Sequence, residues 1–431
     1  MNTLYITPTE LEGSVRVPSS KSMGHREIIC AALAEGLSVV DNVSVSEDID
    51  ATIGALKALG AVIREVPSAY PGRQAFEIAG GKPRKSSAHI DCGESGSTLR
   101  FLVPIAAVCE GTAVFTGRGR LASRPLDAYY DILDKQGFPY HKDETGGLPL
   151  TVSGILKAGD YELPGDISSQ FVSGLLFALP LLTGDSVIRI TSPLESRSYV
   201  DLTLSCLKKY GVQVENHDYR LFRVRGSQKY RAGNSAVEGD YSQAAFWLVA
   251  GLLGRNVACQ GLNPSSLQGD KAIISILKAM GGLIAGSADG SRVCASAAAT
   301  KGICIDAADC PDIIPVLAVL ASVSAGKTEI INAGRLRIKE CDRLHAIAIE
   351  LNKLGASVRE LPEGLVIEGK DFLRGGGEVD CWNDHRIAMS LAVASSRCGK
   401  GFLMHGAECV RKSYPGFWQD FAALGGIIEG R

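Results

Sequence analysis

The apolar and polar positions of this chain form a pattern that returns six times. Its first instance is Leu56-Lys57-Ala58-Leu59-Gly60-Ala61-Val62-Ile63. The pattern predicts the last turn of an amphipathic helix, a glycine suited to the left-handed residue that closes it, and a strand of alternating β-branched residues. Variants recur at Leu133-Asp134-Lys135-Gln136-Gly137, Leu207-Lys208-Lys209-Tyr210-Gly211 and Leu277-Lys278-Ala279-Met280-Gly281. Two more end in Gly355 and Gly425, so the six glycines lie 77, 74, 70, 74 and 70 residues apart by their numbers. One Leu-x-x-x-Gly carries no information. Six in near-register define an internal repeat.

A second series runs in phase with the first. Apolar runs of helical length cover 22–34, 98–109, 171–182, 244–253, 313–323 and 387–394. Helices apolar on every face belong in an interior. Each run follows a short polar cluster of helix-capping residue types. The clusters are Ser19-Ser20-Lys21-Ser22, Gly93-Glu94-Ser95-Gly96-Ser97, Ser168-Ser169-Gln170, Asp240-Tyr241-Ser242, 309–312, and Asn383-Asp384-His385-Arg386. Each unit of about 72 residues therefore holds a buried helix, an amphipathic helix ending in Gly, and several short strands. Residues 1–17 read as a strand or two. The plain interpretation is a duplicated α/β scaffold whose helix starts are merely capped.

The 431 residues suffice for two or three domains with ample core, and six units divide into three plus three. A net charge of −2 argues against a nucleic-acid or membrane surface. No apolar run reaches the roughly 20 residues of a membrane span, and no signal peptide is visible. Twelve cysteines without a Cys-x-x-Cys pair argue against structural zinc and for reduced thiols in the cytoplasm. The final Ile428-Glu429-Gly430-Arg431 matches a protease recognition sequence and is set aside from functional reasoning.

Chemistry-bearing residues gather at the helix starts. Lys21 and Arg26, among hydroxyls, form a phosphate site if the backbone N–H groups and helix dipole act with them. Gly96 lets a ligand approach the backbone closely, although the loop matches neither a P-loop nor a dinucleotide fingerprint. Of Arg118, Arg120 and Arg124, the last is best aimed, because Pro125 pins its backbone. Ser168, Ser169 and Gln170 offer groups that orient a polyhydroxylated ligand, and Ser196-Arg197-Ser198-Tyr199 reads as a loop. The cluster at Asp240 lacks a cation and reads as structural. Asp312 begins the fifth buried helix. Arg335 to Arg343 packs six charges into nine residues and opens the helix ending at Gly355. Arg386 starts the sixth buried helix, and Lys412 lies in a loop before Pro415. Such a set binds small, highly anionic, oxygen-rich substrates, with Asp312 and Glu340 as a carboxyl pair for proton transfer.

These stretches, in this order, resemble the 5-enolpyruvylshikimate-3-phosphate synthase family over essentially the whole chain. The resemblance implies two domains, each an inside-out α/β barrel of three repeated units, spanning 18–234 and 1–17 with 235–431. It places the active site between them. It implies transfer of the enolpyruvyl group of phosphoenolpyruvate to the 5-hydroxyl of shikimate 3-phosphate, releasing phosphate, by a monomer without metal or cofactor.

By the same resemblance, Lys21, Ser22, Arg26, Ser168, Ser169, Gln170, Ser196, Asp312 and Lys339 hold shikimate 3-phosphate. Lys21, Gly96, Arg124, Gln170, Arg343, Arg386 and Lys412 surround phosphoenolpyruvate. Asp312 resembles the base for the hydroxyl, Glu340 the acid that protonates the methylene carbon, and Lys21 assists. The family's glycine loop commonly reads Gly-Asn-Ala/Ser-Gly-Thr, whereas Glu94 and Ser97 stand here. The sister enolpyruvyl transferase acting on UDP-N-acetylglucosamine is the alternative. It normally carries Lys-Asn where this chain has Lys21-Ser22, and a reactive loop cysteine that nothing here matches, although Cys92 and Cys109 are near. A repeat scaffold that binds a partner is the non-enzyme alternative.

Overall fold

A computed structural model describes residues 3–85, 87–143 and 147–430. Twelve α-helices lie among the described residues: α1 (Lys21–Leu33), α2 (Glu47–Ala58), α3 (Gly96–Ala106), α4 (Asp127–Gln136), α5 (Ser169–Ala178), α6 (Arg197–Lys209), α7 (Tyr241–Leu253), α8 (Ala272–Ala279), α9 (Ile314–Ala321), α10 (Arg343–Lys353), α11 (His385–Ala394) and α12 (Phe417–Ala423). The odd-numbered helices from α1 to α11, apart from their first turns, are the interior helices expected from the apolar runs. All residues of α7, α9 and α11 are buried. Enclosing each Val, Leu or Ile there is worth about 1.5–3 kcal/mol, which outweighs any propensity of these short segments to fray.

The even-numbered helices are the amphipathic ones, and all six end as the repeat predicts. Gly60, Gly137, Gly211, Gly281, Gly355 and Gly425 have φ between 60° and 100°. The residue after each glycine donates its N–H back five positions, as in Ala61 to Leu56 and Ala356 to Leu351. That bond satisfies a carbonyl the helix end would orphan, and the left-handed glycine makes the reversal possible. A strand follows each: Val62–Val66, Tyr140–Lys142, Val214–His217, Leu283–Gly286, Ser357–Leu361 and Ile427–Gly430.

Six four-stranded sheets share one plan. A central strand pairs with a parallel neighbour on one side and an antiparallel strand on the other, which carries an antiparallel edge strand. For example, Gly36–Val43 lies between Asn234–Ala236 (parallel) and Gln74–Gly80 (antiparallel), and Val62–Val66 forms the edge. The last sheet is built the same way from distant segments. Thr3–Thr7 pairs with Phe402–His405, and Ile427–Gly430 closes the edge with Ile428 opposite Ile6. Three of the four residues set aside at the end of the sequence are thus part of the fold.

Contacts divide the chain into two compact units, Ser19–Val237 and Met1–Pro18 with Glu238–Arg431. Each owns three sheets and one continuous apolar core. The boundary expected after residue 234 would cut strand Asn234–Ala236, which belongs with Gly36–Val43. Among the described residues no helix is long and apolar enough to cross a membrane.

The helix-closing glycines differ in surroundings, which separates two costs. A Cβ on Gly137 would meet nothing within 4 Å, whereas one on Gly355 would lie 3.1 Å from the backbone N of Arg374. Gly137→Ala should lose about 1–2 kcal/mol, the left-handed penalty alone. Gly355→Ala should lose more. Urea titrations of both variants measure this, and equal losses would show that packing at Gly355 adds nothing.

Candidate active site

The candidate residues gather at or near helix starts in two clusters, one per unit. In the Ser19–Val237 unit, Ser20 caps α1 by accepting from Met23 N–H. Lys21 follows, its Nζ 2.6 Å from Asp48 Oδ2 on α2. Arg26 lies one turn on and is only 2% exposed. Its Nη1 donates to the Ser22 carbonyl (2.7 Å), Nη2 to the Tyr199 carbonyl (2.9 Å) and Nε to Thr203 Oγ1 (2.8 Å). The guanidinium also stacks on the Phe101 ring, 5.1 Å from its centre. Arg26 therefore braces the Ser22 backbone from beneath and ties α1 to α6. Ser196, expected in a loop, is the N-cap position of α6, with φ 52°.

Ser95 caps α3, and Gly96 is that helix's first residue. A Cβ on Gly96 would lie 2.7 Å from Arg124 Nη1, 3.6 Å from Arg100 Nη1 and 3.7 Å from Gln170 Oε1. Arg100 Nη1 donates to Gln170 Oε1 (2.9 Å), and Gln170 Nε2 donates to Ser97 Oγ (3.0 Å). Gly96, Arg124 and Gln170 thus lie side by side. The serine that departs from the family pattern holds Gln170. The other departure, Glu94, lies against Gly119, where a Cβ would be 2.7 Å from Glu94 Cδ.

Behind these groups, His25 Nδ1, Thr52 Oγ1, Thr98 Oγ1 and Ser95 Oγ form a buried chain of hydrogen bonds 2.7–2.8 Å long. Burial, then the charges of Lys21 and Arg26, hold His25 well below the usual histidine range, so it stays neutral. Ser168 caps α5 by accepting from Gln170 N–H, and Ser169 is buried beside it.

The second unit holds the denser cluster. Arg343, 1% exposed, opens α10. Its Nε meets Asp384 Oδ2 at 2.7 Å, Nη1 meets Asp312 Oδ1 at 2.9 Å, and Nη2 meets Glu340 Oε2 at 2.7 Å. Arg386 Nη2 lies 3.5 Å from Asp312 Oδ2 and donates to Ser242 Oγ at 2.8 Å. Lys339 Nζ is 3.7 Å from Asp312 Oδ1. Lys412 is buried and donates to the Asn383 carbonyl at 2.7 Å.

Three local expectations need correction. Asp312 sits in a 3-10 turn, Pro311–Ile313, ahead of α9. Lys339 and Glu340 precede α10 because Asp342 takes the cap by accepting from His345 N–H. Lys412 ends the 3-10 helix Ala407–Lys412.

Burial alone would raise the Asp312 carboxyl. Lys339, then Arg386 and Arg343, outweigh it, and despite a smaller opposing push from Glu340 they hold the group well below the usual carboxylate range. Lys339 moves the other way. Burial lowers it to about 8, with Arg335 and Arg343 adding to the drop and Asp312 and Glu340 opposing it.

Sequence reasoning passed over four contributors. Arg100 left a signal: a lone cation inside an apolar helix, one turn after Gly96, needs a buried partner. Asp384 was read only as a cap, yet it also neutralises Arg343. Ser242 belonged to a cluster read as structural, yet it holds Arg386. Asp48 left no signal, since its link to Lys21 is purely tertiary.

A family model described as EPSP synthase (3-phosphoshikimate 1-carboxyvinyltransferase) matches residues 6–421. The chain belongs to the EPSP synthase family. Proteins named 3-phosphoshikimate 1-carboxyvinyltransferase from Clostridium kluyveri and Clostridium acetobutylicum are 53% and 52% identical, each over 100% of this chain and 99% of the relative. The solved EPSP synthase of Acinetobacter baumannii is 28% identical with a TM-score of 0.81, covering 100% of this chain and 99% of that one. An enolpyruvyl transferase from Streptomyces tendae is 18% identical with a TM-score of 0.78, covering 99% and 98%, a likeness of fold. The alternative of a sister enzyme with a reactive loop cysteine finds no support here. Cys92 and Cys109 are buried, and burial raises both thiols.

Lys339 should titrate near 8 in the protein without substrates, against an ordinary lysine value of 10.5. Asp312→Asn should lower the midpoint further, because it removes a charge that stabilises the ammonium. Carbon-13 NMR of labelled lysine, assigned with Lys339→Arg, reads both. A midpoint near 10.5, or a rise in Asp312→Asn, would contradict this electrostatic picture.

Proposed function

We propose that this chain transfers the enolpyruvyl group of phosphoenolpyruvate to the 5-hydroxyl of shikimate 3-phosphate, releasing phosphate on the route to aromatic amino acids. The observation that carries the reading is the cluster of three cations, Lys339, Arg343 and Arg386, around the single carboxylate of Asp312, in a chain of this family. The enzyme works as a cytoplasmic monomer on these two small anions.

Lys21, Ser22, Ser168, Ser169, Gln170, Ser196 and Lys339 hold shikimate 3-phosphate, with Arg26 bracing the first of these helix starts. Gly96, Arg124, Gln170, Arg343, Arg386, Lys412 and Lys21 receive phosphoenolpyruvate. Neither unit alone carries the full set. The reaction adds an alcohol across the double bond of an enol phosphate, so a proton must reach the methylene carbon while a hydroxyl loses one; phosphate then leaves as the new methyl group gives up a proton, which restores the double bond. Glu340 delivers the first and Asp312 accepts the second.

A carboxylate held so low is a weak base, and the same cations resolve the difficulty. When the carboxylate and phosphate of phosphoenolpyruvate engage Arg343 and Arg386, those charges stabilise Asp312 less. Its basicity then rises when both substrates are present, which couples proton removal to a filled site. Lys339, as an ammonium, holds shikimate 3-phosphate. Catalytic efficiency should therefore fall as pH rises through about 8, where the free enzyme's Lys339 loses its charge.

The decisive assay is phosphate release from phosphoenolpyruvate with and without shikimate 3-phosphate. Release only with both is expected; release with UDP-N-acetylglucosamine instead would favour the sister enzyme. Asp312→Asn and Glu340→Gln keep shape and should each lower kcat by roughly 10²-fold or more, the scale of a general acid or base. Turnover within a few-fold of wild type in both would remove the assigned roles.

Glyphosate inhibits this family by occupying the phosphoenolpyruvate subsite, and Gly96 borders the groups assigned to it. The Cβ of Gly96→Ala must displace Arg124 Nη1, which is 2.7 Å away. Such overpacking costs about 1–3 kcal/mol, or roughly ten- to a hundred-fold in binding. The phosphoenolpyruvate KM should rise through Arg124, and the glyphosate inhibition constant should rise more, since glyphosate is longer. Equal shifts in the two constants would show that Gly96 does not limit the length of the subsite.

A further inference from the structure

The turn between strand Glu378–Asp380 and α11 is held in a conformation its residues do not favour. Trp382 and Asn383 are both left-handed, with φ of 54° and 51°. A Cβ crowds the backbone there, and a bulky aromatic is a rare occupant. Such a turn persists only where its surroundings over-determine it, and it directs attention to what the turn presents.

The hold is visible. Glu350 of α10 is fully buried, at 0% exposure. Its Oε1 accepts from Trp382 Nε1–H at 2.8 Å and from Lys353 Nζ at 3.0 Å. Its Oε2 accepts from Lys353 Nζ at 2.8 Å and from Asp380 N–H at 3.2 Å. Trp382 N–H donates to Asp380 Oδ1 at 2.5 Å, and the His345 ring stands edge-on to the indole with centres 5.6 Å apart. Two of the four acceptor interactions of Glu350 go to Lys353, and the other two go to the Trp382 indole and the Asp380 N–H at the turn.

Arg343 and Glu350 are seven residues apart on α10, two helical turns, and so share a face. Arg343 grips Asp384 and Glu350 grips Trp382, so one helix face clamps the turn at two points. The turn presents the Asn383 carbonyl to Lys412 Nζ, and the Asp384 carboxylate to Arg343 and the Arg386 N–H.

We infer that Glu350 is a positioning residue for phosphoenolpyruvate: through Trp382 it fixes the left-handed turn that aims Lys412 and Arg386. The inference rests on the proposed function, in which those two cations receive that substrate. It involves no contact between Glu350 and either substrate.

Steady-state kinetics of the full chain test it, with thermal unfolding alongside. Glu350→Ala should raise the phosphoenolpyruvate KM by about tenfold or more, because sub-ångström misplacement of binding groups costs that much. The shikimate 3-phosphate KM should stay within about threefold. Glu350→Gln keeps one acceptor oxygen, enough for the indole but not also for the Asp380 N–H, and should recover part of the loss. Trp382→Phe leaves Glu350 with Lys353 but cuts the link to the turn, so it should raise the phosphoenolpyruvate KM while unfolding near the wild-type temperature. If Glu350→Ala does not fold, the other two variants decide. Variants that lower only the unfolding temperature, or raise both KM values alike, would overturn the positioning role. A wild-type protein that releases no phosphate from the two substrates would overturn the functional reading, and this inference with it.

Discussion

A helix that is apolar on every side must be enclosed, and most of this protein follows from enclosing six of them. Along an enclosed helix each backbone group is satisfied within the helix, but four N–H groups at its start are not. Ser20, Ser95, Ser168, Asp240 and Asp384 each take one or more of these on a side-chain oxygen. The remaining N–H groups and the positive end of the dipole make each start a place where an anion is stabilised. Lys21, Gly96, Gln170 and Arg386 all lie within the first turn of such a helix. The same constraint that builds the core therefore decides where the chemistry can be.

Concentrating cations at those starts creates the opposite difficulty, which the acids of the second unit meet. Arg343 and Asp384 are almost wholly buried, and breaking such a pair by removing one partner costs about 3–5 kcal/mol, since the other charge is left uncompensated. Asp384 also caps α11, so one carboxylate neutralises a guanidinium and completes a helix. Asp312 is more exposed, with 20% of its side chain accessible. That difference separates their roles. Asp384 is locked by the fold, while Asp312 lies among the charges of Lys339, Arg343 and Arg386.

The repeat was legible because its marks are local. Each helix-closing glycine answers a backbone requirement that only a few residues around it create, and six copies made a weak signal firm. The buried helices were legible for the same reason: an apolar run is unambiguous when it is longer than a strand. What could not be read is what tertiary contact decides. Lys21 and Asp48 are 27 residues apart and meet only because α1 and α2 pack together. Ser242 looked like a spare cap because Arg386, its partner, is 144 residues away. Charge runs mislead in a particular way. Arg335 to Arg343 reads as a helix start by composition, but Asp342 accepts the His345 N–H, and that one bond moves the start to Arg343.

The two departures from the family's glycine loop show how the site absorbs change. Ser97 keeps a hydroxyl where threonine is common, and that hydroxyl accepts from Gln170 Nε2. The loss is a methyl group, with the hydrogen bond retained. Glu94 brings a charge where the family has an amide, a larger disturbance. Its carboxylate lies against Gly119, and a Cβ at that position would come within 2.7 Å of it. Gly119 is also left-handed, with φ of 59°, so the position favours glycine twice. The acid is accommodated by a backbone without a side chain in the turn that leads to Arg124. Around Gly96, Arg100 still donates to Gln170 and Gln170 to Ser97, so the corner forms despite a charge beside it.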